Sequence, residues 1–558
     1  MFKHKKTVHE GHKDHACDRC EKKFARRSTL LHHQMTVHDG RKDYACDKCI
    51  KKFGIRGNLL MHKKTVHEGR HVKRPNHTKY VACYFQSWAI YRNGDGIFQI
   101  QDIKPEYCTH LVYSFAGLNG TSFHIKSLDP WADLNDHNGK DGYRKLTQLR
   151  YQHPGLKVSL AVGGWNEGSF NYSEMARHPA HRRRFVNSVI DFLRVYNFQG
   201  LDLDWEFPTT RGGAEYDKYN YLLLLQDLKQ AFRQQDFLLT AAISADTDTM
   251  DRRYDIRRMA EHLDYIHVMT YDYHVLGGGV VMPNAPLYEV VSIYHYFETV
   301  KPNNDEIKIN STLSQNKTLN YLLETGVSPK KFVLGLPTYG RAYILADALR
   351  SQDENPIGKP ALKSSWSGPY NSDEGFLGYN EVSLIFLVLP CRIKSSSFTS
   401  QVCKYLLARE WIDKWDNLSS TPYAIQQHKV IVYDNERSIQ LKVHLAMEKG
   451  LAGVMVWSVD TDDFRGDCHA LQHSQEHRQS GTGHGLYTTY YPTTSTTPRY
   501  SSMNRPRNRA EELLRERQYP IMQAIAQALE RDSRGGADVS NVSSLLLVLV
   551  ALVAARNV

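Results

Sequence analysis

The sequence predicts an α/β protein whose main domain is a closed (β/α)8 barrel, a TIM barrel. Eight short apolar runs alternate with helical or loop segments, a pattern typical of a closed parallel sheet. Polar and aromatic residues collect at the C-terminal ends of these runs, where barrels of this kind carry their chemistry. The predicted strands are Val81–Phe85, His110–Ala116, Lys157–Val162, Gly200–Glu206, Leu238–Ser244, Tyr265–Tyr271, Phe332–Tyr339 and Gly453–Val459.

Charge divides the chain into a basic head and a nearly neutral body. The 558 residues leave room for two to four domains. Residues 1–79 contain 21 Lys and Arg against 8 Asp and Glu, whereas the net charge of the whole chain is only +11. The other 479 residues therefore carry a net charge of −2, and the basic character belongs to the head alone.

The head, residues 1–79, contains a repeated metal-ligand pattern with a period of 29 residues. Two thiolates from a β-turn and two imidazoles one helical turn apart close a tetrahedral zinc site. The pattern resembles two-Cys two-His zinc fingers, small ββα domains that bind DNA, and the positive charge fits contact with phosphates. The resemblance implies zinc as a cofactor and nucleic acid as a partner of the head. The candidate ligands are Cys17, Cys20, His33, His38, Cys46, Cys49, His62 and His67.

The fourth run, Gly200–Glu206, organises the barrel. Strict alternation places Asp202, Asp204 and Glu206 on one face of the strand and apolar side chains on the other. Crowding and burial of carboxyl groups raise the pKa of the most buried acid and keep it protonated near neutrality, which suits proton transfer. The alternative is a solvated acidic edge strand, which the large apolar residues between the acids disfavour.

More than 100 residues separate the seventh run from the eighth. That distance is too long for a single crossover connection. It predicts an α+β subdomain inserted between strands 7 and 8, at about residues 342–430.

The barrel runs carry motifs that resemble glycoside hydrolase family 18, the chitinases, and in particular those of insect type. Gly-Leu-Asp-Leu-Asp-Trp-Glu at residues 200–206 looks like the family signature, and the match extends in order over about residues 80–470. The family opens this signature with Asp, where this chain has Gln199, and we expect that change to tune Asp202 rather than abolish activity. The accompanying motifs are Cys83–Phe85, Ser114–Gly117, Gly163–Trp165, Met269–Asp272, Gly335–Arg341 and Trp457–Asp460.

The resemblance implies endo-acting hydrolysis of β-1,4-linked N-acetylglucosamine in chitin, with retention of configuration and without a metal. Glu206 would protonate the glycosidic oxygen as the general acid, while the acetamido oxygen of the substrate attacks the anomeric carbon. Asp204 would orient the acetamido group, and Asp202 would hold the companion proton on Asp204. Tyr271 would hydrogen-bond the acetamido carbonyl, and Trp457 would form the floor under the distorted sugar.

The same resemblance assigns the residues that bind the substrate. They are Tyr84, Phe115, Gly164, Trp165, Phe207, Met269, Asp272, Tyr339, Arg341 and Trp457. Two other functions stay open: a catalytically weak, lectin-like protein that binds chitin, and a zinc-finger DNA-binding protein with a passenger barrel. The intact row of carboxyl groups favours the enzyme.

Cysteines and sequons predict an extracellular glycoprotein for the barrel part. The resemblance pairs Cys83 with Cys108 and Cys403 with Cys468, and it assigns no disulfide partner to Cys391. Disulfides indicate an oxidising compartment, and Asn-x-Ser/Thr sequons agree with secretion. The seven sequons begin at Asn76, Asn119, Asn171, Asn310, Asn316, Asn417 and Asn541.

A zinc-finger head requires a reducing compartment, so a nuclear location is the alternative. One polypeptide rarely serves both environments. We therefore expect that residues 1–79 come from a neighbouring gene merged with the enzyme, whose signal peptide was lost in the merger, because no apolar signal segment follows Met1.

Residues 382–401 interrupt the family pattern. The family reads Tyr-Asn-Glu-Val-Cys, whereas here Tyr379–Glu381 and Val402–Cys403 are separated by 20 further residues. Valine codons begin with GT and glutamine can be encoded by CAG, so we interpret the segment as an unspliced short intron.

The barrel domain is expected to span residues 80–475. The polar, low-complexity composition of residues 476–540 predicts a flexible stalk, in which 508–534 could form an amphipathic helix. Residues 541–558 contain an apolar run too short to span a bilayer. Together with the small residues before it, this run resembles the signal for a GPI lipid anchor, and a frayed terminus is the alternative.

Overall fold

The structure is a computed structural model that describes residues 15–19, 23–24, 44–45, 52–53, 77–275, 278–290, 313–351, 353–385, 411–466 and 518–533. The chain divides into two units. One comprises Met1–Arg74 with Asp129–Gly155, and the other comprises Pro75–Leu128 with Leu156–Val558.

Two short antiparallel ladders repeat in the head. His15–Ala16 pairs with Lys23–Phe24, and Tyr44–Ala45 pairs with Lys52–Phe53 in the same relative register. Of the eight predicted zinc ligands only Cys17 lies within the described residues, so the zinc fingers stay a prediction. The same unit contains the α-helices Pro130–Asp133 and Gly142–Gln152.

Eight parallel strands of the second unit close into a barrel. Each strand pairs with the next in chain order, and the eighth also pairs with the first, which closes the sheet. The predicted closed (β/α)8 barrel is confirmed, although the fourth strand ends at Asp204 and the sixth at Met269, so that Glu206 and Tyr271 follow their strands. The strands are Tyr80–Gln86, His110–Leu118, Lys157–Gly163, Gly200–Asp204, Leu238–Ser244, Tyr265–Met269, Phe332–Pro337 and Gly453–Trp457.

Residues at alternate positions of the strands fill the barrel interior, as strand geometry requires. Tyr80, Ala82 and Tyr84 of the first strand belong to one buried cluster with residues of the second, third, seventh and eighth strands. The strand register sets Asp202 beside Thr240 of the fifth strand. Polar side chains thus enter an otherwise apolar core at the level of the predicted catalytic acids.

Amphipathic helices of the second unit bury one face each. In Asp217–Phe232, for example, Tyr221, Leu224, Leu225 and Leu228 recur at helical spacing and are fully buried. The α-helices of this unit are Phe170–Arg177, Pro179–Tyr196, Asp217–Phe232, Thr247–Arg253, Ile256–His262, Gln315–Glu324, Tyr379–Ile385, Glu436–Glu448 and Pro520–Ser533.

An antiparallel sheet of five strands lies between the seventh and eighth barrel strands in chain order. Val281, Tyr343, Tyr423 and Val430 contribute to its buried apolar cluster. Of the segment interpreted as an intron, 382–385 continue the helix Tyr379–Ile385, and the rest lie outside the described residues. In spatial order the strands are Phe376–Gly378, Tyr339–Ile344, Lys429–Val432, Thr421–Gln426 and Ile412–Asp416. A further short strand, Ile125–Ser127, pairs antiparallel with the second barrel strand.

The helix Pro520–Ser533 completes the eighth β/α unit. It packs against the helix Glu436–Glu448, and its inward side chains are almost fully buried. The carboxylate of Asp462 accepts the backbone N–H of Met522 at 3.0 Å, and burial raises the pKa of Asp462 to about 8 although this hydrogen bond opposes the shift. The barrel domain therefore extends past residue 475, and part of the segment predicted as a stalk is its last helix.

No helix in the described part of the chain combines the length and the apolar character needed to cross a bilayer. The predicted anchor signal at 541–558 lies outside those residues.

Candidate active site

The fourth barrel strand brings the predicted acids to the C-terminal end of the barrel. Asp202 and Asp204 alternate with Leu201 and Leu203 along Gly200–Asp204, so both carboxyl groups point into the barrel. Asp202 is completely buried and Asp204 is 3% exposed, whereas Glu206 is partly buried. The exposure of the acids therefore increases from Asp202 towards the open end, where a substrate would enter.

Asp202 is held by donors from three other strands. The Tyr84 hydroxyl donates to Oδ2 of Asp202 at 2.7 Å, and the Thr240 hydroxyl donates to Oδ1 at 2.5 Å. The Nδ1 atom of His267 lies 3.3 Å from the same Oδ1. Burial alone would raise the pKa of Asp202, but His267 and the two hydroxyl groups outweigh it and lower the pKa below its ordinary value.

The next two acids are shifted in the opposite direction. Burial, followed by repulsion from Glu206 and Asp202, raises the pKa of Asp204 well above its ordinary value. Burial raises the pKa of Glu206 to about 7, against the lowering effect of Arg211 and with a further raising effect of Asp272. At neutral pH the arrangement favours an ionised Asp202, a protonated Asp204 and a Glu206 that can give or take a proton.

A pair of glycines lets the third strand approach the fourth. The N–H of Gly164 donates to the carbonyl oxygen of Asp204 at 2.8 Å, and both Gly163 and Gly164 have positive φ, at 121° and 86°. A Cβ atom on Gly163 would lie 2.0 Å from the Asp204 carbonyl oxygen, and one on Gly164 would lie 2.7 Å from the Phe115 ring. Only glycine fits at either position without displacing the site.

Aromatic rings form a floor beside the acids. Trp457 is the last residue of the eighth strand, and its ring centroid lies 5.5 Å from that of Tyr84 and 5.7 Å from the stacked ring of Phe115. Trp88 also stacks on Phe115 at 6.0 Å, lies 6.2 Å from the Trp457 ring and remains 41% exposed. Tyr84 was predicted to line the cleft, but it lies beneath Trp457, 1% exposed, and bonds to Asp202.

Trp165 projects from the cleft and is 58% exposed. The guanidinium carbon of Arg211 lies 3.5 Å from the centre of its ring. Arg211 also donates to the carbonyl oxygens of Trp165 at 2.7 Å and of Glu206 at 3.0 Å. One side chain therefore fixes the exposed indole and the loop that carries the acid.

The opposite wall is built after the sixth and seventh strands. The Tyr271 ring meets that of Tyr339 edge-on at 6.0 Å, and Met269 packs against the same cluster. Arg341 forms an ion pair with Asp272, in which Nε lies 2.8 Å from Oδ1.

Phe207 lies on the fourth-strand side of the cleft. The guanidinium of Arg253 lies 4.7 Å from the centre of its ring. Apart from Tyr84, which is buried within the first strand, the predicted substrate-binding residues lie around the C-terminal ends of the strands.

The predicted cysteine pairs have different outcomes. Cys83 and Cys108 form a disulfide, which confirms that pairing and joins the first strand to the residues before the second. Cys403, Cys468 and Cys391 lie outside the described residues.

Sequence reasoning missed Thr240, His267 and Arg211. Thr240 and His267 are polar residues inside apolar runs, and each is spaced two residues from other inward-facing positions of its strand. This combination of polarity and period-two spacing is the signal that could have identified them. Arg211 lies in a loop with no periodic pattern. Gln199 precedes the fourth strand and is not among the hydrogen-bond partners found for Asp202 within the described residues, so its tuning effect stays a prediction.

Comparisons with known proteins agree with this geometry. The chain matches the family described as glycosyl hydrolases family 18 over residues 80–462. It is 42% identical over 416 residues to Probable chitinase 2 of Drosophila melanogaster, covering 73% of this chain and 77% of that protein. It is 34% identical to Endochitinase of Manduca sexta, covering 70% of this chain and 64% of that protein.

A solved structure of Ostrinia furnacalis Group IV chitinase superimposes with a TM-score of 0.62 at 31% identity, covering 81% of this chain and 99% of that one. The chain belongs to glycoside hydrolase family 18.

Proposed function

We propose that this protein is an endo-acting chitinase that hydrolyses β-1,4-linked N-acetylglucosamine with retention of configuration. The observation that carries the proposal is the row of acids at alternate positions, Asp202, Asp204 and Glu206, at the C-terminal end of the barrel. Their pKa values differ in direction, lowered at Asp202, raised at Asp204 and raised to about 7 at Glu206. Relatives named as chitinases support the substrate class, as does a solved Group IV chitinase in complex with allosamidin that is 33% identical to this chain.

The first half of the reaction requires a proton at Glu206 and a neutral Asp204. Glu206 gives its proton to the glycosidic oxygen while the acetamido oxygen of the substrate attacks the anomeric carbon, so that the C1–O bond to the leaving group breaks as the new C1–O bond forms. Asp204, protonated beside the ionised Asp202, hydrogen-bonds the acetamido group and orients it. The cationic oxazolinium ion that results is stabilised by the negative charge that the two aspartates share.

The second half of the reaction returns the proton. Glu206, now ionised, takes a proton from water as the water oxygen attacks the anomeric carbon and expels the acetamido oxygen. Two inversions at one carbon give net retention.

Tyr271 and Trp457 complete the subsite in this proposal. Tyr271 hydrogen-bonds the acetamido carbonyl, and Trp457 supports the sugar ring from below.

Hydrolysis of a soluble β-1,4-linked hexamer of N-acetylglucosamine by the full chain tests the proposal. A chain truncated at residue 475 would lack the helix Pro520–Ser533. Wild-type protein should release shorter oligomers in the β-anomeric form. Glu206→Gln should abolish turnover, whereas Glu215→Gln, the same change at an exposed position, should leave it intact.

Binding separates the enzyme from the lectin-like alternative. If wild type and Glu206→Gln both bind the hexamer and neither cleaves it, the protein is a chitin-binding lectin. Cleavage that survives Glu206→Gln would contradict the assignment of the acid.

For the remaining segments we propose an extracellular enzyme and a fused head. The disulfide between Cys83 and Cys108 supports an oxidising location for the barrel. The two repeated ladders, His15–Ala16 with Lys23–Phe24 and Tyr44–Ala45 with Lys52–Phe53, support zinc fingers in the head, which would bind nucleic acid. Sequencing the transcript tests both the fusion and the proposed intron at 382–401. Release from cells by a phosphatidylinositol-specific phospholipase tests the lipid anchor.

A further inference from the structure

A buried line of hydrogen-bonding groups runs from the catalytic acids towards the other end of the barrel. The Tyr84 hydroxyl donates to Asp202 and also lies 2.7 Å from Nδ1 of His267. The Nε2 atom of the same imidazole lies 3.0 Å from the hydroxyl of Tyr80. All four side chains are buried, and none of them lies on the cleft surface.

This line crosses the barrel interior. Tyr80 and Tyr84 lie on the first strand and His267 lies on the sixth, and these two strands are not neighbours in the sheet. Tyr80 is the first residue of its strand, and its ring packs against those of His110 and Tyr265, with its centroid 4.1 Å from each of theirs. Tyr80 therefore stands at the N-terminal end of the barrel, one imidazole away from the acid row.

Hydrogen counting fixes the donor and the acceptor in the contact between Tyr84 and His267. Tyr84 has one hydroxyl hydrogen, and it is given to Asp202. The contact between Tyr84 and His267 therefore requires that Nδ1 carry a hydrogen, which it directs to the Tyr84 oxygen at 2.7 Å, with Oδ1 of Asp202 also in reach at 3.3 Å. In a neutral imidazole with Nδ1 protonated, Nε2 is an acceptor, and the Tyr80 hydroxyl is the donor placed to satisfy it.

We propose that Tyr80 and His267 are positioning residues for the reaction: Tyr80 fixes the tautomer of His267, and His267 in turn keeps Asp202 ionised so that the shared proton of the two aspartates lies on Asp204. The inference rests on the proposed function, in which a protonated Asp204 orients the acetamido group. It extends the set of residues that govern the reaction to the opposite end of the barrel.

The other titratable groups around Asp202 do not supply this effect. Asp204 and Tyr221 interact with it electrostatically, and a negative charge on either would oppose its ionisation. His110 lies beside Tyr80, and it is not among the hydrogen-bond partners found for Asp202 within the described residues. His267 is thus the imidazole that acts on Asp202, and Tyr80 is the group that orients it.

Tyr80→Phe in the full chain tests the proposal, with Tyr265→Phe as a matched control. Both changes remove one phenolic hydroxyl from the same end of the barrel, but only Tyr80 contacts Nε2 of His267. With the tautomer released, the acid limb of the kcat profile against pH should move to higher pH by about one unit in Tyr80→Phe. The alkaline limb, the KM and the profile of Tyr265→Phe should remain those of the wild type.

A second background makes the test independent of overall stability. In His267→Asn the amide N–H₂ takes the place of Nδ1–H and has no tautomer to lose, so adding Tyr80→Phe to this background should move the acid limb no further. In His267→Leu the side chain has no donor, so the acid limb should move to higher pH at least as far as in Tyr80→Phe. This variant replaces Tyr80→Phe in the test if Tyr80→Phe does not fold.

Each outcome has one meaning. If the wild type turns over, three results would overturn this inference and leave the proposed function standing. They are an acid limb that does not move in Tyr80→Phe, equal shifts in Tyr80→Phe and Tyr265→Phe, and a full further shift when Tyr80→Phe is added to His267→Asn. A wild type that shows no turnover would refute the proposed function and this inference with it.

Discussion

Replacing Thr240 by Val removes one hydrogen bond to Asp202 and little else. The Thr240 hydroxyl lies 2.5 Å from Oδ1 of Asp202, both side chains are buried, and Val has nearly the shape of Thr. A hydrogen bond to a charged group contributes about 1.5–3 kcal/mol. Because one pKa unit corresponds to about 1.4 kcal/mol, the pKa of Asp202 should rise by about 1–2 units. The acid limb of the kcat profile should then move to higher pH by that amount.

Stability supplies a second readout for the same variant. The pKa of Asp202 is lowered on folding, so its hydrogen bonds stabilise the folded state above the unfolded pKa of 3.8, and this stabilisation is lost as the pH falls through the folded pKa. Urea unfolding should therefore show Thr240→Val less stable than wild type by about 1.5–3 kcal/mol at pH 7, with a smaller difference in acid.

Thr240→Ser is the control, since it keeps the hydroxyl and loses only a methyl group. It should cost about 1 kcal/mol of packing without moving the acid limb. An unmoved limb in Thr240→Val, or an equal movement in both variants, would refute the reasoning from this hydrogen bond.

Three further changes test other parts of the molecule. The positive charge of Arg211 lowers the pKa of Glu206, which is about 7. Arg211→Gln removes that charge, so the alkaline limb of the activity profile should move to higher pH than in the wild type by about one unit, and a limb that stays or falls would contradict this. Replacing Cys83 and Cys108 together by Ser removes a disulfide whose cysteines are 25 residues apart in sequence. The double variant should have a lower Tm and a free energy of unfolding lower by about 3 kcal/mol, and the reduced wild type should show the same loss. Asp462 has a raised pKa of about 8, so its contribution to stability is greatest in acid and falls as the pH rises towards 8. Asn at this position cannot ionise, so the free energy of unfolding of Asp462→Asn, measured in urea, should differ less between pH 5 and pH 8 than that of the wild type.

Local pattern was enough to predict the barrel. Each strand is buried on both faces and reads as a short apolar run, and the signature from Gly200 to Glu206 places the acids by alternation alone. The strand limits were less accurate, because Glu206 and Tyr271 continue the alternation after the ladder hydrogen bonds have ended.

The supporting residues depend on contacts that no local pattern reveals. Thr240 and His267 acquire a role only because the fifth and sixth strands bring them against Asp202, and Tyr80 only because the first strand faces the sixth across the interior. The helix Pro520–Ser533 was assigned to a stalk because its partner, Glu436–Glu448, lies more than 70 residues earlier in the chain. Composition describes a segment by itself, whereas these assignments depend on distant partners.

The last β/α unit is also discontinuous in sequence. Residues 467–517 separate the end of the eighth strand region from the helix that covers it. A cut anywhere in that stretch would leave two polypeptides associated through the packing of a single helix and a few polar contacts, among them those of Asp462 with Met522, Tyr519 with Asp102 and Lys79 with Asp532. The helix would then be retained by its affinity alone instead of by the effective concentration that the connecting chain provides, and it would leave on dilution. A synthetic peptide with the sequence of residues 518–533 could replace the lost helix. The fraction of molecules with a complete barrel would then depend on the concentration of added peptide, as in a split reporter.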